Sequence, residues 1–261
     1  ALAALEGLAG AAAVVLFNQG YVLETAPLLC AIPVAGVSVY AWRFGFVWRM
    51  FGRYVSTTLL QDTALLELGT ASRRHVTVLF TDINNFSTTC ERHTPDEVIG
   101  MLNRYFEAMN AIIVESGGWI KQFVGDEIMV IYGAPDSHPR PEHAAVETAL
   151  RMVAKLADMR RAAKDDGFFE IKAGIHTGDV IVGNVGSRHR TEFAAVGDDV
   201  NLGSRIMGMT KGLRATILIS GATEEKVQDL PGVVFVDHGL QPVKGRHEPV
   251  RVFEVKAKER E

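Results

Sequence analysis

The stretch HVTVLFTDINNFS, His75–Ser87, constrains the fold more than any other part of the 261-residue sequence. Val76 to Phe80 is an apolar, β-branched run of the kind that forms a strand buried on both faces. It breaks off at Thr81-Asp82 and opens into the turn-prone pair Asn84-Asn85. A buried strand that delivers a carboxylate to its end raises the question of what that carboxylate holds.

The residues that follow supply the other layers. Thr94 reads as a helix N-cap, with Pro95 at the first helical position and Glu97 completing a capping box. Val98, Met101, Leu102, Tyr105, Phe106, Met109, Ile112 and Ile113 form one apolar face, and Gly117-Gly118 ends the helix. WIKQFV and IMVIYGA are strands of a tight hairpin around Gly125-Asp126-Glu127. His143–Arg161 is an amphipathic helix. FFEIKAGIHTG alternates through Phe169, Ile171, Ala173 and Ile175, which predicts a strand with one buried face. TILIS and VVFVDHG are later strands, with ATEEKVQDL a short helix between them. The order β-α-β-β-α-β predicts an α+β, ferredoxin-like sheet with helices packed on one face.

Upstream of this domain the composition changes. From Ala1 to about Trp48 the only charged side chains are Glu6, Glu24 and Arg43. Ala1–Phe17 is one apolar stretch and Pro27–Trp42 another, and Arg43, Arg49 and Arg53 follow the second. A spanning helix takes about 20 largely apolar residues, and basic residues favour the cytoplasmic side. Residues 1–48 are therefore expected to form a transmembrane helix hairpin in the cell (inner) membrane, rather than a pair of buried core helices. Residues 49–74 read as a linker and 75–256 as a cytoplasmic domain. The chain starts at Ala1 rather than Met, which reads as a fragment or a trimmed product.

Net charge is −4, which gives no basis for a nucleic-acid partner. Cys30 and Cys90 are too few for a disulfide framework and read as reduced thiols. No histidine pair has zinc-ligand spacing beside an acid, and His138 and His143 read as surface residues of a loop.

Asp82 ends one strand and Asp126 sits at a hairpin tip. Either alone is readily a turn residue or a cap. Together, at the ends of adjacent strands, they would repel unless a cation lies between them, and oxygen ligands beside phosphates suit Mg²⁺. The loop INNFS, with Asn85 and Phe86, would offer backbone N–H groups to phosphate oxygens. Asn201 and Arg205 are four apart and share a helix face if Asp199 onward is helical; a solvated face explains the spacing equally well. Lys121 is a cation in a strand whose neighbours Trp119 and Phe123 share its face, and Lys244 is a turn lysine.

As a set, VLFTDINNFS, IKQFVGDEIMVIYGAP, GIHTGDVIVGNVGS, AVGDDVNLGSRI and PVKGRHEPVRVFEV resemble, in order and spacing, the class III nucleotide cyclases. The apolar pair followed by FGRYVS resembles the membrane-proximal part of cyclases that carry an extracellular CHASE2 sensor. The resemblance implies a homodimer that converts ATP to 3′,5′-cyclic AMP and pyrophosphate at composite interface sites. It implies that Asp82 and Asp126, with the Ile83 carbonyl, hold two Mg²⁺ or Mn²⁺ ions. Asn201 would orient the ribose and Arg205, from the partner chain, would stabilise the α-phosphate. Lys244 would hold the terminal phosphates and Lys121 would read the base. At the second base-reading position the family carries Asp, Thr or a similar polar residue, where this chain has Ala194; a relaxed ATP preference over GTP follows. The rival expectations are a catalytically silent dimerising relay and a diguanylate-cyclase-like enzyme, whose hairpin would need two glycines before the acid where FVGDEIM has one.

Overall fold

The structure, a computed structural model, describes residues 18, 37–43, 71–163, 169–187 and 190–258, excepting the side chains of 190 and 191. The chain divides into two compact units, Ala1–Gln61 and Asp62–Glu261. In the first, 37–43 is helical, with Tyr40 and Trp42 exposed. No helix among the described residues is long and apolar enough to cross a membrane. Apart from residue 18 and that helical segment, the two expected spanning helices, and the linker up to residue 70, lie outside the described residues, as does Cys30. Cys90 is free and exposed.

The second unit is built on one sheet. Its strands are β1 (Ala71–Ile83), β2 (Trp119–Val124), β3 (Glu127–Tyr132), β4 (Ile171–Ser187), β5 (Arg190–Val196), β6 (Ile217–Ser220), β7 (Val233–Gln241) and β8 (Val250–Ala257). They lie in the order β2-β3-β1-β4-β6-β8-β7, with β5 pairing the outer half of β4. The helices are α1 (Phe86–Arg92), α2 (Pro95–Glu115), α3 (Pro141–Ala163), α4 (Asp198–Leu213) and α5 (Gly221–Val227). The β-α-β-β-α-β order stands. β1 starts at Ala71 rather than His75, because the long β4 continues the ladder as far as Ala71 opposite Gly183.

Helices cover both faces of the sheet, not one. Leu79 and Ile83 of β1 and Ala173 and Ile175 of β4 join the main core with residues of α2, α3 and α5. On the other face α4 lies so close that a Cβ on Gly174 would stand 2.2 Å from the Met207 backbone nitrogen. Gly203 of α4 in turn abuts Val78 and Phe80. The doubly buried run Val76–Phe80 already implied a layer on each side. β4 is likewise buried on both faces near its start, where glycines and His176 hide the second face from an alternation count.

Local signals mostly hold. Thr94 caps α2: its side chain accepts from the Glu97 N–H, and the Glu97 carboxylate accepts from the Thr94 N–H at 2.8 Å. Thr94→Ala is expected to cost about 1 kcal/mol of stability, seen as a lower urea midpoint with an unchanged slope. His143 lies at the start of the helix expected over His143–Arg161, but it is not the surface loop residue also expected. α3 begins at Pro141, which puts His143 in its first turn, buried, with Nε2 2.6 Å from Asp229 Oδ1. His138 is half-buried against the Tyr132 ring, so neither is a plain surface residue.

Candidate active site

Strand direction brings the two aspartates together. β3 runs antiparallel to β1 with Thr81 opposite Ile128, so the start of β3 lies beside the end of β1. The β2–β3 turn is Gly125-Asp126, and Gly125 takes a φ of +63°, which a side chain would resist. Asp126 thus sits against the Asp82 end of β1, and its Oδ2 accepts the Ile83 N–H at 3.1 Å. Burial, with a hydrogen bond to Asp82 and the charge of Asp82, pushes the Asp126 carboxyl up to about 6. Burial and the same Asp82 charge also raise Glu127, against the opposing pull of Lys172. On the other side of β1, Asp82 is in register with Lys172 of β4, and Lys172 Nζ lies 2.6 Å from Asp82 Oδ2.

The donor set fits a hard divalent cation. Both carboxylates offer oxygen, and burial first, then the hydrogen bond and charge of Asp82, raise the Asp126 carboxyl, so the ionised pair gains from a positive neighbour. Lys172 supplies that neighbour in the chain alone. The contact that Ile83 makes with Asp126 is through its N–H. Asn85 adopts a left-handed conformation, φ 55° and ψ 33°, to start α1, and Phe86 packs edge-on against Phe169.

A second cluster gathers around α4, whose first turn begins at Asp198 and includes Asn201. His176 of β4 ties this turn down: its Nε2 lies 3.2 Å from Asp199 Oδ1 and its Nδ1 2.8 Å from Ser220 Oγ. The Asp179 N–H donates to the other Asp199 oxygen at 3.0 Å. Burial holds the His176 imidazole below its ordinary pKa. Arg205 Nη1 lies 3.6 Å from Asp198 Oδ1, is buried, and has no hydrogen-bond partner among the described residues. Arg205 also abuts Gly245, beside the exposed Lys244 of the β7–β8 loop, while Arg246 bonds Asp198 at 2.7 Å. Asn201 is exposed.

Lys121 sits at a bulge of β2 between Ile120 and Gln122. The extra residue shifts the face, so Phe123 does not accompany Lys121 as the alternation count expects. Phe123 packs on Phe106 of α2, whereas Trp119 packs on Phe193 of β5. The Lys121 side chain is only 7% exposed, makes an ion pair with Glu192 of β5, and lies 6.0 Å from the Trp119 ring centre. Burial holds its ammonium below the usual lysine range. Among the described residues no hydrogen bond or ion pair joins the Asp82–Asp126–Lys172 cluster to Asn201, Arg205 or Lys244.

Residues 69–256 match the sequence pattern of the Adenylate and Guanylate cyclase catalytic domain. The chain belongs to the class III adenylate/guanylate cyclase family. The cyclase domain is 36% identical over 187 residues to Adenylate cyclase 1 of Rhizobium meliloti (strain 1021), covering 71% of this chain and 28% of that protein. The chain spans well under half the length of such curated relatives. Its fold is similar to the crystal structure of the adenylyl cyclase CyaB from P. aeruginosa, at TM-score 0.67 and 31% identity over 73% of this chain and 98% of that one. It is similar also to the crystal structure of the guanylyl cyclase Cya2, at TM-score 0.61 and 35% identity over 72% and 95%. The cyclase fold therefore leaves the base open, since both kinds of cyclase share it. Lys172, His176, Glu192 and Arg246, polar residues of the cyclase domain's clusters, carry no motif signal of their own in the sequence. Lys172 left a faint signal, a cation in a strand between Ile171 and Ala173.

Proposed function

We propose that the chain is the catalytic part of a membrane-anchored adenylate cyclase, converting ATP to 3′,5′-cyclic AMP and pyrophosphate at composite sites of a homodimer. The observation that carries the reading is the Asp82–Asp126 pair, held together by strand register, with the Asp126 carboxyl pushed up to about 6. Asp82 and Asp126, with Ile83, would hold two Mg²⁺ or Mn²⁺ ions, whose chemistry is to acidify the ribose 3′-hydroxyl and neutralise triphosphate charge.

The chain's own residues do the rest. Lys172, which pairs with Asp82 in the chain alone, would be available to the triphosphate if Asp82 were engaged by a cation, and Lys244 would hold its far end. Asn201 orients the ribose. The 3′-hydroxyl gives its proton up to solvent, its oxygen bonds to the α-phosphorus, the bond from that phosphorus to the α–β bridging oxygen breaks, and pyrophosphate leaves. The buried, unpartnered Nη1 of Arg205 meets the charge that grows on the α-phosphate. The backbone of Asn85 and Phe86 flanks the phosphates. Lys121 donates to N1 of adenine, an acceptor, whereas N1 of guanine carries a proton; ATP is the preferred substrate.

A dimer is supported by the separation of the two clusters within one chain. It is supported also by the exposed apolar residues Ile181, Val185 and Val196 on the β4–β5 hairpin. Anchoring in the inner membrane through residues 1–48, below a CHASE2-type sensor, rests on their near-absence of charge and the arginines that follow. The test is a cyclisation assay with Mn²⁺, giving ATP and GTP separately to the wild type and to Asp82→Ala. Cyclic AMP from ATP, absent in the variant, is the expected result. No product from either nucleotide would favour a silent relay, and a large GTP preference would overturn the choice of base.

A further inference from the structure

We propose that Glu192 reads the exocyclic amine of adenine, taking over the contact that Ala194 lacks; the proposal rests on the cyclase reading above. Ala194 has no polar side-chain atom to offer a base. Glu192 lies two residues earlier on β5, and residues two apart on a strand share a face. The longer glutamate side chain reaches past this offset and meets Lys121, the residue assigned to N1.

The meeting place is fixed by packing. Phe193, between Glu192 and Ala194, is buried and stacks edge-on with Trp119 at 5.5 Å, which pins β5 against β2. The Lys121 side chain is 7% exposed, so losing its carboxylate partner would leave a sheltered charge unpaired. Glu192, by contrast, is 55% exposed at its side chain, so one carboxylate oxygen remains available beyond the ion pair. A base that arrives therefore meets an ammonium and a carboxylate side by side, and does not displace the carboxylate.

That pair has a polarity. Adenine presents an acceptor at N1 and, next to it, the donor amine on C6. Guanine presents the reverse, a donor at N1 and an acceptor oxygen on C6. Lys121 and Glu192 match adenine at both positions and oppose guanine at both. Polar groups that must be satisfied discriminate far better than shape alone, because the wrong base leaves them unpaired. The absent side-chain acceptor at Ala194 therefore does not by itself make the enzyme indifferent to its base.

The experiment measures kcat/KM for ATP and for GTP with Mn²⁺ on the full chain as wild type, Glu192→Gln, Glu192→Ala and Glu192→Ala with Ala194→Thr. Both single variants are expected to lower the ATP:GTP ratio by about tenfold or more, mainly through a higher KM for ATP. The hydroxyl that Ala194→Thr introduces is expected to restore part of the preference, which a merely structural loss would not allow. An ATP:GTP ratio that stays within about threefold of the wild type in both single variants overturns the proposal. So does a lower KM for ATP in Glu192→Ala, the mark of a residue that only masks Lys121. A wild type that cyclises neither nucleotide overturns the cyclase reading and this proposal together, whereas an active enzyme with an unchanged ratio overturns this proposal alone.

Discussion

Asp126→Asn is expected to make the protein more stable at neutral pH while removing its activity. The Asp126 carboxyl titrates near 6 in the folded chain against 3.8 ordinarily, because burial and Asp82 disfavour its charge. A raised carboxyl is a stabilising feature only while protonated. Its contribution is complete below about pH 3.8 and is lost as pH rises to about 6, which leaves a net penalty at pH 7. The full shift would correspond to about 3 kcal/mol. Asp126 is only partly buried, and screening by solvent reduces this to about 1 kcal/mol. The asparagine retains an oxygen for the Ile83 N–H, so the local fold is kept. The variant should melt about 2–4 °C higher at pH 7, and the gain should vanish as pH falls towards 4. On the proposed reading Asp126 is a ligand to the cations, and its loss would remove several kcal/mol of charge stabilisation, about a thousandfold in rate or more. Mn²⁺ should raise the wild-type melting temperature and leave that of Asp126→Asn nearly unmoved. A variant that melts below the wild type at pH 7 would mean that the aspartate pair is held by favourable contacts and not under repulsion.

The same pair shows how much of the site the sequence carried. That Asp82 ends a buried strand and Asp126 ends a hairpin follows from Val76–Phe80 and from Gly125, both local signals. Antiparallel pairing then makes the two ends neighbours, whatever the details of packing. Lys172 and Glu192 were out of reach for the opposite reason. Each meets its partner through register or through the path of the β4–β5 hairpin, and no local pattern encodes either. The bulge at Lys121 defeated the alternation count at Phe123 because one inserted residue exchanges the two faces. The second helical layer was legible in part. A strand apolar on both faces needs cover on both, but β4 hides its second face behind Gly174, Gly178 and His176, which a hydrophobicity count reads as polar or blank.

Gly174 is the clearest of these silent positions, and Gly174→Ala is expected to damage stability and activity together. A methyl group there would stand 2.2 Å from the Met207 nitrogen, 2.6 Å from its Cα and 2.7 Å from the Gly203 carbonyl oxygen. All three are backbone atoms of α4, so no side chain can turn aside and the helix itself must move. Moving it lifts Gly203 from Val78 and Phe80 and strains the His176–Asp199 tether at the head of the helix. Overpacking of this kind costs about 3 kcal/mol, which for a domain of this size lowers the melting temperature by about 6–12 °C. Because α4 carries Asn201 and Arg205, a displacement near 1 Å should also slow turnover by about a hundredfold in protein that remains folded. Gly208 is the control on the same helix. A Cβ there meets nothing within 4 Å, so Gly208→Ala should stabilise the helix by about 0.5–1 kcal/mol. Thermal melts of the two variants beside the wild type decide the point. Opposite shifts mean that α4 rests on β4 through glycine alone, and equal shifts would place the helix farther from the sheet.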